Sequence, residues 1–359
     1  MFFEQNQDAL RTFSRISKTV GARADYVQGG GGNTSVKLKD GLMAIKASGF
    51  CLKDIEPDKA YAVLDGAAIR SFYLSTEPEQ LADVEAAGSA KAIASARTIE
   101  GLAPLRPSVE AGFHSILSTY VIHTHSVYAN LACCTANCRE IAAQALAGAE
   151  YSWEWVDYTD PGARLTFAIR DAMRRAERET GKTPSVILMQ NHGIIAHDDD
   201  PDRALFIHAD ANERLARAFG LTGESFPEVK IRCVEEGLYE AATPYLTEAL
   251  RSGAFTGEFF LEQPLYPDQM VFLTGAFSMG AGTPAEGTCR ADPETGRALM
   301  RMGAGKAQVL AETLTAVVFI VQHIRAAGYT LSTMGDEARR FIANWESEKY
   351  RKSLAGKKG

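Results

Sequence analysis

Two histidines on one predicted strand most constrain what this chain can fold into. The stretch Tyr120–Ser126 has the sequence Tyr-Val-Ile-His-Thr-His-Ser, which is typical of a buried strand. Alternate residues of a strand point to the same side, so His123 and His125 can reach one metal ion while Thr124 faces the other way. A catalytic metal usually takes about three protein ligands and keeps one position open. The pattern therefore predicts a third ligand elsewhere in the chain.

The best candidate for that ligand is His192, which follows the apolar run Val186–Met189. We expect the chain to continue from this strand through His192 to His197. A lone histidine beside an apolar strand is typical of a hydrogen-bonded core residue. Two at strand spacing and a third at the end of another strand instead favour a metal site.

Composition excludes several functional classes. The chain has 359 residues, enough for two domains, with 46% hydrophobic and 23% charged residues, as in an ordinary soluble protein. A net charge of -7 argues against nucleic acid as the main partner. Six cysteines without a Cys-x-x-Cys pair predict reduced thiols in the cytoplasm. We expect no signal peptide, because the first residues lack a basic region followed by an apolar stretch. We expect no membrane span, because the most apolar run, Leu314–Val321, is too short.

Two glycine-containing turns bracket a predicted hairpin. Gly29–Gly32 precede one strand, and a Lys-Ala-Ser-Gly turn follows the strand at 42–45. Glycine lets backbone N–H groups approach an anion closely, and neighbouring amide, hydroxyl and ammonium groups add donors. Flexible hairpin connections produce the same pattern, so both interpretations stay open. The candidate anion ligands are Asn33, Thr34, Lys46, Ser48 and Gly49.

The segment Pro107-Ser108-Val109-Glu110 predicts the start of a helix that packs under the histidine strand. Glu110 has two interpretations. It is either an acidic residue favoured by the helix dipole, or a carboxylate close to the metal that binds it or moves a proton. We interpret His114, one turn onward, as a helix histidine and not as a fourth ligand.

Helical spacing predicts further helices at 4–21, 127–148 and 165–176, the last closed by Gly181. Three aspartates at 198–200 precede Pro201. We expect them to cap a helix that runs to about Phe219 and not to bind a metal.

In their order along the chain, these motifs resemble the class II aldolase/adducin family over roughly residues 8–220. Each motif is common, but the ordered set is specific. The motifs are Gly-Gly-Asn33-Thr-Ser35, Ser48-Gly49, Pro107-Ser108-Val109-Glu110, His123-Thr-His125-Ser126, Tyr158 before Pro161-Gly162, and Asn191-His192-Gly193.

The resemblance implies a three-layer α/β/α fold around a central, mainly antiparallel sheet. It implies that His123, His125 and His192 hold zinc or another divalent metal, and that Glu110 is the acid/base. It also implies that Asn33, Ser48, Gly49 and Ser108 bind the substrate's anion. Tyr158 matches a family tyrosine that reaches the neighbouring subunit's site. This implies a homo-oligomer, plausibly a tetramer, with shared active sites.

Two departures from the short fuculose-phosphate aldolases leave the anion open. Val109 replaces a second serine, and Lys46 stands where the smaller enzymes carry an uncharged residue. A lysine can hold either a phosphate or the carboxylate of a sugar acid.

The extension resembles the aldolase half of fused rhamnulose-1-phosphate aldolase/short-chain dehydrogenases, through the runs at 266–273 and 345–351. We expect a zinc domain at 1–225 and an extension packed on it at 226–359. The extension should contain a strand at 270–273, a glycine-rich turn at 275–282, and helices at 303–327 and 334–352. Gly303–Lys306 should begin a helix, since it lacks the spacing of a nucleotide site, and His323 should be structural. No Gly-x-Gly-x-x-Gly motif suggests a nicotinamide cofactor.

The function that the resemblance implies is a zinc-dependent aldolase that cleaves a phosphorylated ketose or a sugar acid, like rhamnulose-1-phosphate aldolase. Three alternatives remain open. A decarboxylase and a 4-epimerase of the same family would use the same site, whereas a non-catalytic adducin-like scaffold would not need the metal ligands.

Overall fold

A computed structural model describes residues 2–344 of the chain. Its helices are α1 (Phe2–Gly21), α2 (Gly66–Ser75), α3 (Val84–Ala94), α4 (Ala111–Ile116), α5 (Val127–Cys133), α6 (Cys138–Ala145), α7 (Ala163–Thr180), α8 (Pro201–Ala218), α9 (Pro244–Arg251), α10 (Gly257–Glu262), α11 (Pro267–Leu273), α12 (Ala304–Ala326) and α13 (Asp336–Asn344). Its strands are β1 (Asn33–Lys37), β2 (Leu42–Lys46), β3 (Tyr61–Asp65), β4 (Ala96–Arg97), β5 (Tyr120–Thr124), β6 (Trp153–Val156), β7 (Val186–Met189), β8 (Gly193–Asp198), β9 (Ile231–Glu235), β10 (Leu238–Ala241), β11 (Phe277–Met279), β12 (Thr288–Ala291) and β13 (Ala298–Arg301).

The larger sheet has the strand order β4-β3-β2-β1-β5-β8-β7-β6. Every neighbouring pair is antiparallel except β6 and β7. Strand β5 lies inside this sheet, between β1 and β8. In the resulting register, His123 is opposite Asn33 on one side and Ile195 on the other.

Helices cover both faces of this sheet. Its strands carry apolar side chains on both faces, so each face must be shielded from water. On one face, Val121 packs in a core with residues of α2, α3, α4 and α7. On the other face, Ile122 packs in a core with residues of α1 and α5, and α6 and α8 lie beside them. The predicted three-layer α/β/α fold with a mainly antiparallel sheet is therefore confirmed.

Several local predictions are also confirmed. Helix α1 occupies the predicted range, and Gly181 ends α7 in a left-handed conformation. Asp200 caps α8, since its side chain accepts hydrogen bonds from two backbone N–H groups of the first turn. Residues 127–148, however, form two helices, α5 and α6, and not a single one.

The chain around His192 differs from the sequence prediction. It does not run straight on from β7, because residues 190–192 form a tight hairpin turn and β8 returns antiparallel to β7. Asn191 adopts a φ of 50°, a left-handed conformation that asparagine tolerates better than most residues. The hairpin places His192 at the tip, beside the end of β5.

The extension contains a second sheet with the order β11-β12-β13-β10-β9. Helices α9, α10 and α11 lie between β10 and β11 in sequence, and α12 and α13 follow β13. The predicted strand at 270–273 is wrong, since these residues belong to α11. Pro267 sits at the first position of that helix, where its missing N–H costs nothing. The predicted helix at 303–327 is confirmed as α12, and α13 begins close to its predicted start. The run at 345–351 lies outside the described residues.

Helix α12 joins the extension to the rest of the protein. It is long and apolar enough to cross a membrane by length and composition, but most of it is buried inside the protein, like the core helix of a soluble protein. Phe319 of α12 packs edge-on against Tyr128 of α5, with ring centroids 6.1 Å apart. One apolar core thus contains residues from both sides of position 225. The domain boundary at 225 stays a prediction.

The close approach of the glycine-rich loop to β5 gives a testable prediction. Gly32 has a φ of 63°, and a Cβ there would lie 2.6 Å from the backbone oxygen of His123. We expect Gly32→Ala to lower the thermal unfolding midpoint more than Gly181→Ala. Gly181 has a φ of 69° but open space around it, so its substitution costs only the left-handed strain of about 1–2 kcal/mol. Equal shifts in the two variants would contradict the close approach.

Candidate metal centre and active site

Three histidine side chains converge where β5 ends and the β7–β8 hairpin turns. His123 and His125 come from one face of β5 and its continuation, as the alternation predicted, and His192 comes from the hairpin tip. Their ring centroids lie 4.9 to 5.1 Å apart, and one nitrogen of each lies within 4.8 Å of the others. All three are buried. The structure therefore assembles a group that could hold a metal ion.

Hydrogen bonds settle which nitrogens of two histidines are free to bind a metal. The Nδ1 of His123 donates to the carbonyl oxygen of Ile194 at 3.0 Å. The Nδ1 of His125 donates to Oδ2 of Asp268 at 2.5 Å. A neutral imidazole carries one proton, so both Nε2 atoms present lone pairs.

The donor set fits a divalent metal. The Nε2 atoms of His123 and His125 face each other at 3.1 Å, where two lone pairs repel unless a cation lies between them. Burial lowers the pKa of His123 to about 3, so its ring is neutral and its Nε2 lone pair is available to a metal. Two nitrogens bonded to one tetrahedral metal at about 2.0–2.1 Å are about 3.3 Å apart, close to the spacing seen here.

Glu110 faces the same point. It lies at the N-terminal end of α4, and its side chain is buried. Its Oε1 is 3.3 Å from Nε2 of His192, and its Oε2 is 3.7 Å from Nε2 of His123. Burial by itself raises the pKa of Glu110, but the facing histidines outweigh burial and hold the pKa well below its usual range. The site therefore contains an ionised carboxylate beside the three imidazoles.

A buried chain of hydrogen bonds orients Glu110 from the β1 side. Burial keeps the pKa of His114 well below its ordinary value, so its ring is neutral. Its Nδ1 accepts from Ser35 Oγ at 2.8 Å, and its Nε2 donates to the amide oxygen of Asn33. This fixes the Asn33 amide so that Nδ2 donates to Glu110 Oε2 at 2.6 Å and to Ser108 Oγ at 3.2 Å. His114 is thus a helix histidine, as interpreted, and it acts on the carboxylate through Asn33.

The two glycine-containing turns meet beside this chain. Lys46 is buried, and its Nζ donates to the carbonyl oxygens of Gly30 at 3.0 Å and Phe50 at 2.8 Å, so it fastens one turn to the other. The backbone N–H of Ser48 donates to the carbonyl oxygen of Arg106 at 3.0 Å, which brings this turn against the segment that carries Ser108. Gly49, next to Ser48, has a φ of 87°. The two glycine-containing turns therefore lie against each other and, with the segment that carries Ser108, form one wall of the site.

Thr34 does not join this wall. It points to the opposite face of β1, where its hydroxyl lies 2.6 Å from the hydroxyl of Ser17 on α1. Strand alternation explains the difference, because Asn33 and Ser35 point toward α4 and the residue between them cannot. Thr34 therefore faces away from Asn33 and Ser35, and its role as an anion ligand stays a prediction.

Tyr158 lies beside the histidine hairpin, on the chain segment after β6. Its backbone N–H donates to the side chain of Gln190 at 3.2 Å, and its hydroxyl donates to Asp160 at 3.2 Å. Its ring packs against a small core formed by α11 and α13. Burial raises the pKa of its hydroxyl. Within one chain it therefore bonds to its own turn and not to the three histidines.

Asp268 is the site residue that sequence analysis missed. It lies in the first turn of α11, and 143 residues separate it from its partner His125. The one local signal was Pro267 followed by an acid, which is typical of any helix start. Nothing in the sequence indicates that this turn reaches the histidines.

A comparison with protein families matches the part of the chain that contains most of these site residues. The family model described as the Class II Aldolase and Adducin N-terminal domain matches residues 13–219. This range includes the three histidines, Glu110, Asn33 and Tyr158, and it ends before the extension. A comparison with curated proteins finds no match.

Several solved structures are similar to part of the chain. The N-terminal class II aldolase domain of a conserved protein from Thermoplasma acidophilum is 20% identical, with 57% of this chain and 91% of that chain covered and a TM-score of 0.47. YgbL from Klebsiella pneumoniae, described as a candidate aldolase, epimerase or decarboxylase, is 18% identical, with coverages of 62% and 93% and a TM-score of 0.42. An L-fuculose 1-phosphate aldolase is 21% identical, with coverages of 60% and 89% and a TM-score of 0.38.

Metal content tests the histidine group directly. We expect about one divalent ion per chain in protein purified without chelator and supplied with metal, and loss of that ion in His125→Gln. His208→Gln is the matched control, because His208 is also buried but bonds to Thr124 on the other face of β5. Elemental analysis of the three proteins gives the answer. A His125→Gln protein that keeps a full equivalent would contradict the site.

Proposed function

The chain belongs to the class II aldolase and adducin family, and on that premise we propose that it is a metal-dependent lyase that cleaves a carbon–carbon bond of a sugar derivative. The observation that carries the proposal is the convergence of three buried imidazoles with a carboxylate 3.3 Å from one of them. A catalytic site of this kind needs a metal with an open coordination position and a group that moves protons. This arrangement provides residues for both.

We propose zinc as the metal. Imidazole donors suit zinc, although they also suit iron, nickel and copper. His123, His125 and His192 would hold it, and the bound ion supplies Lewis-acid polarisation of the substrate's oxygens.

Glu110 is the proposed acid/base. In a retro-aldol cleavage, the bond between the carbon next to the carbonyl and the carbinol carbon breaks. The electron pair stays with the carbonyl-bearing fragment, the carbinol hydroxyl loses its proton as it becomes an aldehyde, and the other carbon takes up a proton. In the condensation direction the ionised Glu110 would remove that proton from carbon. In cleavage it would first take up a proton, as the carbinol hydroxyl releases one, and then deliver it to carbon. The hydrogen bond from Asn33 Nδ2 holds its carboxylate in place for either step.

The substrate's anion would bind at the shared wall of the two turns, through Ser48, Gly49 and Ser108. Asn33 is the fourth proposed ligand, although its amide bonds with Glu110, Ser108 and His114 here. Lys46 adds a positive charge, but its Nζ donates hydrogen bonds to two carbonyl oxygens. We propose a phosphorylated ketose or a sugar acid as the substrate, with an activity like that of rhamnulose-1-phosphate aldolase.

Tyr158 is proposed to act in the site of a neighbouring subunit, where it would serve the departing aldehyde's hydroxyl. Within one chain the Tyr158 hydroxyl donates to Asp160 and not to the histidines, which supports a role in the site of another copy. This role requires a homo-oligomer with shared active sites, and we propose a tetramer. All six cysteines are free in the described part of the chain, in keeping with a proposed cytoplasmic location.

Product analysis separates the aldolase from its relatives. An aldolase yields two fragments that retain all the substrate's carbon, whereas a decarboxylase releases carbon dioxide and a 4-epimerase returns a product of unchanged mass. A non-catalytic scaffold would turn over none of the phosphorylated ketoses and sugar acids tested.

Replacing the proposed acid/base separates metal binding from chemistry. We expect Glu110→Gln to keep its metal but lose turnover by about 100-fold or more, because general acid/base catalysis contributes about 10²–10⁴-fold. Elemental analysis and a retro-aldol assay measure the two properties on the same protein. Full turnover in this variant would refute the assignment of Glu110.

Mixing two inactive variants tests the shared site. Glu110→Gln and Tyr158→Phe subunits should each be weakly active alone. After a 1:1 exchange of subunits, about one quarter of the sites would combine an intact Glu110 with an intact Tyr158 from the next chain, and activity should return to that extent. If activity does not return although mass spectrometry shows mixed oligomers, Tyr158 does not act across the interface.

A further inference from the structure

We propose that Asp268 of the extension is a positioning residue of the metal centre, which holds His125 in the tautomer and orientation that bind the metal. The inference rests on the proposed metal-dependent function and extends it to a part of the chain outside the matched family domain. It means that the extension completes the metal centre as well as packing beside it.

The contact between Asp268 and His125 has the geometry of a strong, charge-assisted hydrogen bond. The Oδ2 of Asp268 lies 2.5 Å from Nδ1 of His125, and both side chains are buried. A carboxylate in this position holds the imidazole proton on Nδ1 and makes Nε2 a stronger donor to a metal. This Nε2 is the atom that faces His123 at 3.1 Å.

Gly31 leaves the space through which the carboxylate reaches the histidine. A Cβ at Gly31 would overlap the Asp268 carboxylate and would lie 3.1 Å from Nδ1 of His125. The glycine-rich loop thus has a second use besides the proposed anion site. It lets a side chain from the extension enter beside β5.

Hydrogen bonds anchor the residues just before Asp268 to several parts of the metal centre. The carbonyl oxygen of Leu265 accepts from Asn191 Nδ2 at 2.8 Å, next to His192 in the hairpin, and from Cys134 Sγ at 3.5 Å. The hydroxyl of Tyr266 donates to Gln28 at 3.2 Å, at the start of the glycine-rich loop. The backbone that carries Asp268 is therefore held against both the hairpin and the loop.

Packing alone does not account for an aspartate here. Burying an ionised carboxylate costs several kcal/mol unless a partner compensates for the lost water. The partner supplied is one of the three converging histidines, whose other nitrogen faces the proposed metal position. A carboxylate that accepts a hydrogen bond from a metal-ligating histidine is a recurrent feature of metal sites. Loss of that carboxylate typically weakens metal affinity about 10–100-fold.

The test measures metal affinity by chelator competition in the full-length protein. Asp268→Asn keeps an acceptor but loses the charge, and Asp268→Ala loses both. We expect the dissociation constant for Zn²⁺ to rise by about 10-fold in the first and about 100-fold in the second. The visible absorption spectrum of the Co²⁺-loaded protein should also change, because the His125 donor has changed.

Glu240→Gln is the matched control. Glu240 is another buried carboxylate of the extension, but it pairs with Arg232 of β9 and with Arg297, the residue before β13. We expect this variant to keep the wild-type Zn²⁺ affinity and Co²⁺ spectrum. The unfolding midpoint of each metal-free protein shows whether the fold is intact.

Each outcome decides the proposal. Weaker binding in both Asp268 variants with an unchanged control supports it. Wild-type affinity in Asp268→Ala, or equal losses in Asp268→Ala and Glu240→Gln, overturns it and leaves the proposed function standing. A wild-type protein that binds no Zn²⁺ removes both the positioning role and the metal-dependent function.

Discussion

The rest of the structure depends on the position of β5 inside an antiparallel sheet. Hydrogen bonds to β1 on one side and β8 on the other fix this strand along its length. Residues directly opposite each other in such pairs have Cβ atoms about 4.5–5.5 Å apart, so the register decides which side chains meet. The pairing of His123 with Asn33 sets the amide beside Glu110, and the bond from His123 to the Ile194 carbonyl sets the tautomer of the imidazole.

Burial of so many polar groups is expensive, and the fold compensates with consecutive hydrogen bonds. Ser35, His114, Asn33 and Glu110 form one chain in which each donor meets an acceptor. A partly satisfied network in a low-dielectric interior costs more than an apolar core of the same shape. Within this series of hydrogen bonds, nearly every buried polar group has a partner as far as the three imidazoles. At the imidazoles, the facing lone pairs of His123 and His125 have no hydrogen to share, and a bound cation could satisfy them.

The extension shares one apolar core with the family domain. Helix α12 is buried against α5, and the turn that begins α11 lies between the histidine hairpin and the glycine-rich loop. Gly29 donates its backbone N–H to Glu312 of α12 at 3.2 Å, so the glycine-rich loop contacts the extension at two places. The loop that would face the substrate is therefore supported by residues that follow the matched domain.

The sequence by itself determined the elements whose periodicity is local and the residues whose spacing carries chemistry. Alternation indicated that His123 and His125 share a face, caps and apolar spacing located α1, α7, α8 and α12, and the ordered motifs indicated the three-layer fold. Only the tertiary structure decided the contacts between distant segments. It placed Thr34 on the opposite face of β1 from Asn33, and it made residues 267–273 a helix that begins at Pro267. It also brought Asp268 to His125, which is 143 residues away in sequence. Periodicity describes one element at a time, whereas these outcomes depend on which elements pack together.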